Sequence, residues 1–153
     1  MNCHHIAIRQ DYPEYNSVKM IAFDRPDITA EQTEEYMAKM NEIISHPGQG
    51  LSGWVITHRK SVRVPNVIND KRYIDIFPGI QSGLYVPIMI GDRIMGSIAV
   101  ESDKENGFTE GDERMLETLA VQAAIAIENA NLFATNKKEI VERQNAEAAL
   151  QYQ

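Results

Sequence analysis

The sequence predicts an α+β domain: one mainly antiparallel sheet with helices packed on a face, closed by a long C-terminal helix. Three observations carry this expectation. Two short β-rich segments near the start flank a turn-forming stretch. Residues 83–90 and 93–101 are separated only by Gly91-Asp92, and no Pro or Gly interrupts the chain from Asp112 to Gln153. Strands and helices are therefore only partly interleaved, which argues against a doubly wound parallel sheet.

The elements follow in order. Residues 4–9 and 18–24 read as the strands of a hairpin joined by Asp11-Tyr12-Pro13-Glu14-Tyr15-Asn16. Residues 29–45 read as a helix, capped by Thr29 with Gln32 three positions on, and with Met37, Met40, Ile43 and Ile44 on one face. His46-Pro47-Gly48 ends it. The cluster Leu51, Trp54 and Val55 fits a helical turn or a strand equally well. Residues 61–65 read as a short strand and residues 69–74 as a helical turn. The pair 83–90 and 93–101 makes the central hairpin, and 103–107 is a polar loop. Thr109 caps the last helix, whose first turn carries Glu110, Asp112 and Glu113 toward the positive end of the helix dipole.

That helix has two halves. Leu116, Leu119, Ala120, Ala123, Ile127 and Ala130 make its first part apolar enough to dock on a sheet. Beyond Phe133 it turns charged and Ala/Glu-rich, so the expected division is a folded domain over 1–133 and a connecting helix over 134–153. Leu119, Ala123, Ala126, Ala130, Phe133 and Ile140 form a seam with steps of three and four, as a coiled coil requires.

Composition narrows the class. The 153 residues suit one domain, and 43% are apolar, enough for a core without disulfides. Lys plus Arg number 15 against 22 Asp plus Glu, a net charge of −7, which disfavours nucleic acid and anionic membrane as partners. The single cysteine, Cys3, cannot form an internal disulfide, and nothing resembles a signal peptide or a membrane span. A soluble cytoplasmic domain is expected.

The local motifs are weak. Gly48-Gln49-Gly50-Leu51-Ser52-Gly53 is a formal G-x-G-x-x-G with Asp70 downstream, yet a helix rather than a strand is expected to enter it, so the glycines read as a helix exit loop. Cys3, His4 and His5 suggest a metal, but two adjacent histidines on a strand point to opposite faces, and no second cluster completes a ligand set. No metal site and no catalytic constellation is expected. Charge is segregated: residues 58–73 carry five Lys or Arg against one acid, and residues 101–117 carry seven acids against two bases. These stretches read chiefly as surfaces that complement each other, and secondarily as a basic strip for an anionic ligand. Trp54, Tyr73, Phe77 and Tyr85, with Ser82, gather aromatic and polar groups around the irregular middle of the chain, as pocket walls do. Tyr85 alternates with Leu84 and Val86 and faces opposite to both.

Several segments in this order resemble the GAF domain, a sensor fold of bacterial signalling proteins. They are Gly50-Leu51-Ser52-Gly53-Trp54-Val55, Val62-Arg63-Val64-Pro65-Asn66-Val67, Asn69-Asp70-Lys71-Arg72-Tyr73, Gln81-Ser82-Gly83-Leu84-Tyr85-Val86-Pro87-Ile88, the run Gly91 to Val100, and Phe108-Thr109-Glu110-Gly111-Asp112-Glu113. The resemblance covers about residues 4–133. It implies a GAF-like sheet with the final helix on one face and a ligand pocket on the other, beneath short helices and loops. By position it implies Trp54, Asn69, Asp70, Tyr73, Ser82, Tyr85 and Glu101 as ligand-binding residues. It further implies a homodimer through terminal helices and a tail leading to another sensor domain or a histidine kinase core. The family's usual leading helix has no counterpart before the first strand, so a segment of a longer sensor is expected.

Subfamilies narrow further. Cyclic-nucleotide-binding members resemble Asn-Lys followed by Phe-x-x-x-Asp-Glu; Phe108, Asp112 and Glu113 match, but Ser102-Asp103-Lys104 lacks the first pair. Bilin-binding members and the free methionine sulfoxide reductases of this fold use pocket cysteines, and none follows Cys3. His58 is a candidate haem ligand only by being a histidine. No cofactor is named. The expected function is a non-enzymatic small-molecule-sensing or dimerising module of a signal-transduction protein. Next in order come an enzyme using Asp70 or Glu101 as acid or base, then a spacer whose pocket is filled by Trp54 and Tyr73.

Overall fold

A computed structural model describes residue 1 and residues 3–152; Asn2 and Gln153, which belong to the two expected segments, lie outside it. Strands β1 (His5–Tyr12), β2 (Ser17–Asp24), β3 (Val62–Val64), β4 (Ser82–Ile90) and β5 (Arg93–Ser102) form one antiparallel sheet of order β2-β1-β5-β4-β3. The first hairpin turns through a 3-10 segment, Pro13–Tyr15, closed by Asn16 in the left-handed region. The second turns at Gly91-Asp92, as the sequence predicts.

Helix α1 (Ala30–Ile43) starts in a reciprocal capping box: Thr29 Oγ1 accepts from the Gln32 N–H and the Gln32 side chain accepts from the Thr29 N–H. Of its expected apolar face, Met40 and the following Ile44 are buried, whereas Ile43 is exposed. The Leu51-Trp54-Val55 cluster lies on a helix, α2 (Gly50–His58), and the formal glycine motif straddles its start: Gly48 and Gln49 end the loop after α1, while Gly50 to Gly53 form the first turn of α2 rather than a helix exit loop. The expected helical turn over 69–74 falls earlier, as a 3-10 turn at Val67–Asn69. The reason is that Asn66 caps it by accepting from the Ile68 N–H.

The sheet carries helices on both faces. On one, α1, α2 and the coil after Asp70 cover Ala7, Met20, Tyr85 and Ala99. On the other, α3 (Glu110–Gln151) lays Leu116, Ala120 and Ala124 on Leu84, Val86, Ile98 and Val100. Thr109 and Asp112 form its capping box. Period-two alternation in β4 and β5 thus feeds two separate cores. At 42 residues α3 is about 63 Å long. It is pinned near the hairpin by Arg93–Glu128 at 2.6 Å, and every described residue from Asn129 onward is exposed. Leu119, Val121, Ile125, Leu132, Phe133 and Ile140 remain uncovered apolar groups along it. No helix among the described residues is long and apolar enough to cross a membrane. The basic and acidic stretches do meet: Arg63 pairs with Glu113, Ser61 donates to Glu117, and Asn66 donates to Glu105.

Candidate functional site

The sheet face under α1 and α2 carries an unusual concentration of buried polar groups. Alternation in β1 sends His5, Ala7 and Arg9 to this side and Ile6 and Ile8 to the other. The antiparallel register sets His5 beside Glu101, Ala7 beside Ala99 and Arg9 beside Ser97. From β4, Tyr85 sits beside Ala99, and its ring lies across Gly83, where a Cβ would come within 2.4 Å of the Tyr85 hydroxyl. That missing side chain lets the hydroxyl reach Glu101, the cross-strand partner of Gly83. The two alanines, Ala7 and Ala99, leave a floor low enough for a cavity of about 30 Å³. Met40, Leu51 and Ser52 wall it from the helices, and Tyr73, Ile74, Ile76 and Phe77 close it from the coil that follows Asp70.

Glu101 is the hub of one network. Its Oε1 accepts from His5 Nε2 at 2.8 Å and its Oε2 accepts from the Tyr85 hydroxyl at 2.6 Å. His4 lies just before β1, so strand alternation does not separate it from His5 as the sequence reading expects. The two Nδ1 atoms meet at 2.9 Å. Since His5 Nε2 faces a carboxylate and carries the proton there, a neutral His5 accepts at Nδ1 and His4 donates. Burial lowers the His4 pKa, helped by Arg25, while burial and then Glu101 hold the Tyr85 hydroxyl firmly protonated. Among the described residues no group of three metal-ligating side chains comes together.

Arg9 stands apart from that network. It is 6% exposed, yet its guanidinium makes one hydrogen bond among the described residues, Nη1 to Ser52 Oγ at 3.3 Å. No described carboxylate oxygen lies within 4.0 Å of it. Burial therefore pulls its pKa down, and the nearby charge of Glu101 only partly opposes this.

Of the seven residues implied by the resemblance, Tyr73, Tyr85 and Glu101 line the cavity together. The other four are elsewhere. Ser82 shares parity with Leu84, so it points to the α3 side, where it donates to the Lys104 carbonyl and accepts from the Gly107 N–H. Asn69 is exposed at the end of the 3-10 turn. Trp54 and Asp70 form an outer clasp. Asp70 accepts from the Arg72 N–H at 2.9 Å and pairs with its guanidinium, which lies 4.6 Å from the Trp54 ring, and that ring stacks on His58 at 4.3 Å. The clasp fastens the start of the closing coil to α2. The cavity residues that the sequence reading does not single out for a pocket are His5, Arg9 and Ser52, whereas Phe77 closes the cavity as its grouping with the pocket aromatics anticipates; the alternation of His5-Ala7-Arg9 with Ile6-Ile8 is the signal for the first two.

The clasp makes a pH prediction. Hydrogen bonds from Arg72 hold the Asp70 carboxyl below the usual carboxylate range. Its contribution to stability is complete above the unfolded value, about pH 4, and is lost as pH falls through the lowered folded value. Stability measured by urea unfolding from pH 6 down to pH 3 is expected to fall less steeply in Asp70→Asn than in the parent; identical slopes would refute the clasp.

Comparison with known proteins completes the picture. The GAF domain family model matches residues 11–128. A dual 3′,5′-cyclic-AMP and -GMP phosphodiesterase 11A of Takifugu rubripes is 35% identical over 100 residues, 60% of this chain and 11% of the relative. The chain spans about a tenth of the length of the curated relatives it matches. Among solved structures, a type II free methionine-R-sulfoxide reductase from Thermoplasma acidophilum superposes with TM-score 0.66 at 21% identity, covering 83% of this chain and 80% of that one. A domain of a putative two-component sensor histidine kinase protein from Sinorhizobium meliloti 1021 gives 0.62 at 15%, covering 90% and 87%. At such identities these structures speak for the fold, which they share with β1–β5 and the flanking helices. The chain belongs to the GAF domain family.

Proposed function

We propose that this domain senses a small molecule within the cavity between β1, β4, β5 and the coil after Asp70. In this reading α3 carries the response to a second copy of the chain or to an output domain of a cytoplasmic signal-transduction protein, a sensor histidine kinase being the first candidate. One observation carries the reading: a sheet face that could have been wholly apolar instead buries Arg9, His5 and Tyr85, with Glu101 partly buried beside them, around a cavity. Buried ionic groups cost stability relative to apolar packing, so keeping them points to a ligand they serve. The uncovered apolar residues along α3, from Leu119 to Ile140, support pairing of that helix with another one.

Two alternatives have observations behind them. The cavity of about 30 Å³ has room for water rather than for a nucleotide, which favours a ligand-free spacer unless the closing coil moves. The reductase of the same fold favours an enzyme, but Cys3, the only cysteine, packs toward the α3 side and not into this cavity. Native mass spectrometry of freshly purified protein, against the mass of the denatured chain, separates the readings. A retained small molecule is expected in the parent and is expected to be lost in Ala99→Leu, which raises the cavity floor at a cost of about 1–3 kcal/mol. If the parent stays bare and no added metabolite protects it from unfolding, the spacer reading replaces the sensor.

A further inference from the structure

Resting on that reading, we infer that the ligand is a small organic acid carrying a hydrogen-bond donor at its other end, its carboxylate held by Arg9 and Ser52 and its donor by Glu101. Three features of the site lead there. Arg9 is a buried cation without a carboxylate partner among the described residues, and a guanidinium with five N–H donors in a planar fork matches a carboxylate two bonds at a time. Ser97, the cross-strand neighbour of Arg9, lies on the same sheet face as Ala99 and Glu101, and its buried hydroxyl has no partner among the described residues. A hydroxyl left this way on the strand beside a buried cation makes an anion site that the described residues do not fill. At the opposite end, Glu101 offers carboxylate oxygens already oriented by His5 and Tyr85.

Charge decides between anions. Arg9 supplies one positive charge, and Glu101 places a negative charge on the same face. A monoanion neutralises Arg9 without meeting excess repulsion, whereas a dianionic phosphate would face Glu101 uncompensated. A ligand that also carries an ammonium or hydroxyl turns that same carboxylate into a partner. A cavity that starts at about 30 Å³ and enlarges only as the coil after Asp70 opens favours a short carbon skeleton, placed between the polar groups and against Phe77 and Tyr73.

The test is thermal unfolding and isothermal titration of the full chain with acetate, propionate, glycolate, L-alanine and L-serine, and with inorganic phosphate and cyclic AMP as contrasting probes. At least one hydroxy or amino acid is expected to stabilise the parent, more strongly than acetate or propionate does. Arg9→Met is expected to weaken that binding by about 10-fold or more. The same variant is expected to melt about 2–6 °C higher, because it removes a buried unpaired charge. A merely structural Arg9 would lower the melting temperature when replaced, so the opposite signs on binding and stability separate the two roles; Arg9→Lys should retain part of the binding. Should Arg9→Met fail to fold, Ser52→Ala and Glu101→Gln carry the binding half of the comparison: each is expected to weaken the same ligand, and unchanged binding in both overturns the inference. Binding of cyclic AMP or phosphate alone, unaffected by Arg9→Met, overturns the inference while leaving the sensor reading in place. No binding by any probe overturns the inference, and together with a bare native mass it overturns the sensor reading as well.

Discussion

Gly96→Ala is expected to destabilise the domain by about 3 kcal/mol or more, the upper end of what overpacking costs. Gly96 lies in β5 opposite Gln10 of β1, and a Cβ built on it would stand 1.9 Å from the carbonyl oxygen of Arg9. A flexible side chain could move aside, but a ladder carbonyl cannot, so the pairing of β1 with β5 must open locally. This contact matters beyond stability because β1 is the strand that carries His5, Ala7 and Arg9 into the cavity, and Arg9 is itself the residue whose backbone would be displaced. The check is urea unfolding of the variant and the parent, in which the midpoint should fall with the slope unchanged, and the melting temperature should drop by about 10 °C. A variant within about 0.5 kcal/mol of the parent, the range of an ordinary surface change, would mean that the strands separate here without cost.

The parts of the fold that the sequence discloses are those governed by neighbours in the chain. Thr29 with Gln32, Thr109 with Asp112, and the Gly91-Asp92 turn are local chemistry, and each appears in the structure where the residue types place it. The glycine motif is readable in part: a helix and not a strand precedes it, but Gly50 to Gly53 open α2 instead of staying in the exit loop. The site is less legible because strands 90 residues apart in the chain build it. Tyr85 and Glu101 belong to neighbouring strands of one hairpin, and the resemblance points to both. Ser82 lies away from the cavity for a reason the sequence contains: it shares parity with Leu84 and Val86, the residues that Tyr85 opposes, so it belongs to the α3 face. Trp54 and Asp70 suit a pocket by residue type, but the Arg72 guanidinium between them turns both outward into the clasp. Arg9 shows the limit. Its side of the strand follows from alternation with Ile6 and Ile8, whereas its burial depends on α2 arriving with Ser52, 43 residues away, and nothing in the local pattern of β1 announces that.

Phe77→Ala is expected to cost about 3–4 kcal/mol and, beyond that, to free the coil that closes the cavity. Phe77 is 4% exposed; its ring lies 4.7 Å from His5, stacks on Phe23 at 5.6 Å and meets Tyr36 at 5.4 Å, centroid to centroid. Around it the backbone has little hold of its own. Tyr73 N–H bonds to Asp70 and Gln81 N–H bonds to Ser102, but between those two points the backbone makes no more than a tight turn at Pro78-Gly79 among the described residues. The segment is therefore held by side-chain burial at Ile76, Phe77 and Ile80 between two anchored ends, the arrangement of a unit that can open without unfolding the sheet. Such opening is what a cavity of about 30 Å³ needs before it can admit anything larger than water. Hydrogen exchange distinguishes this from general loosening. In Phe77→Ala the amides of residues 74–80 should exchange faster by a larger factor than those of β4 and β5, which should slow or quicken only with global stability. If all amides shift together, the coil is an inseparable part of the core, ligand entry by this route fails, and the cavity is a packing feature of the sheet.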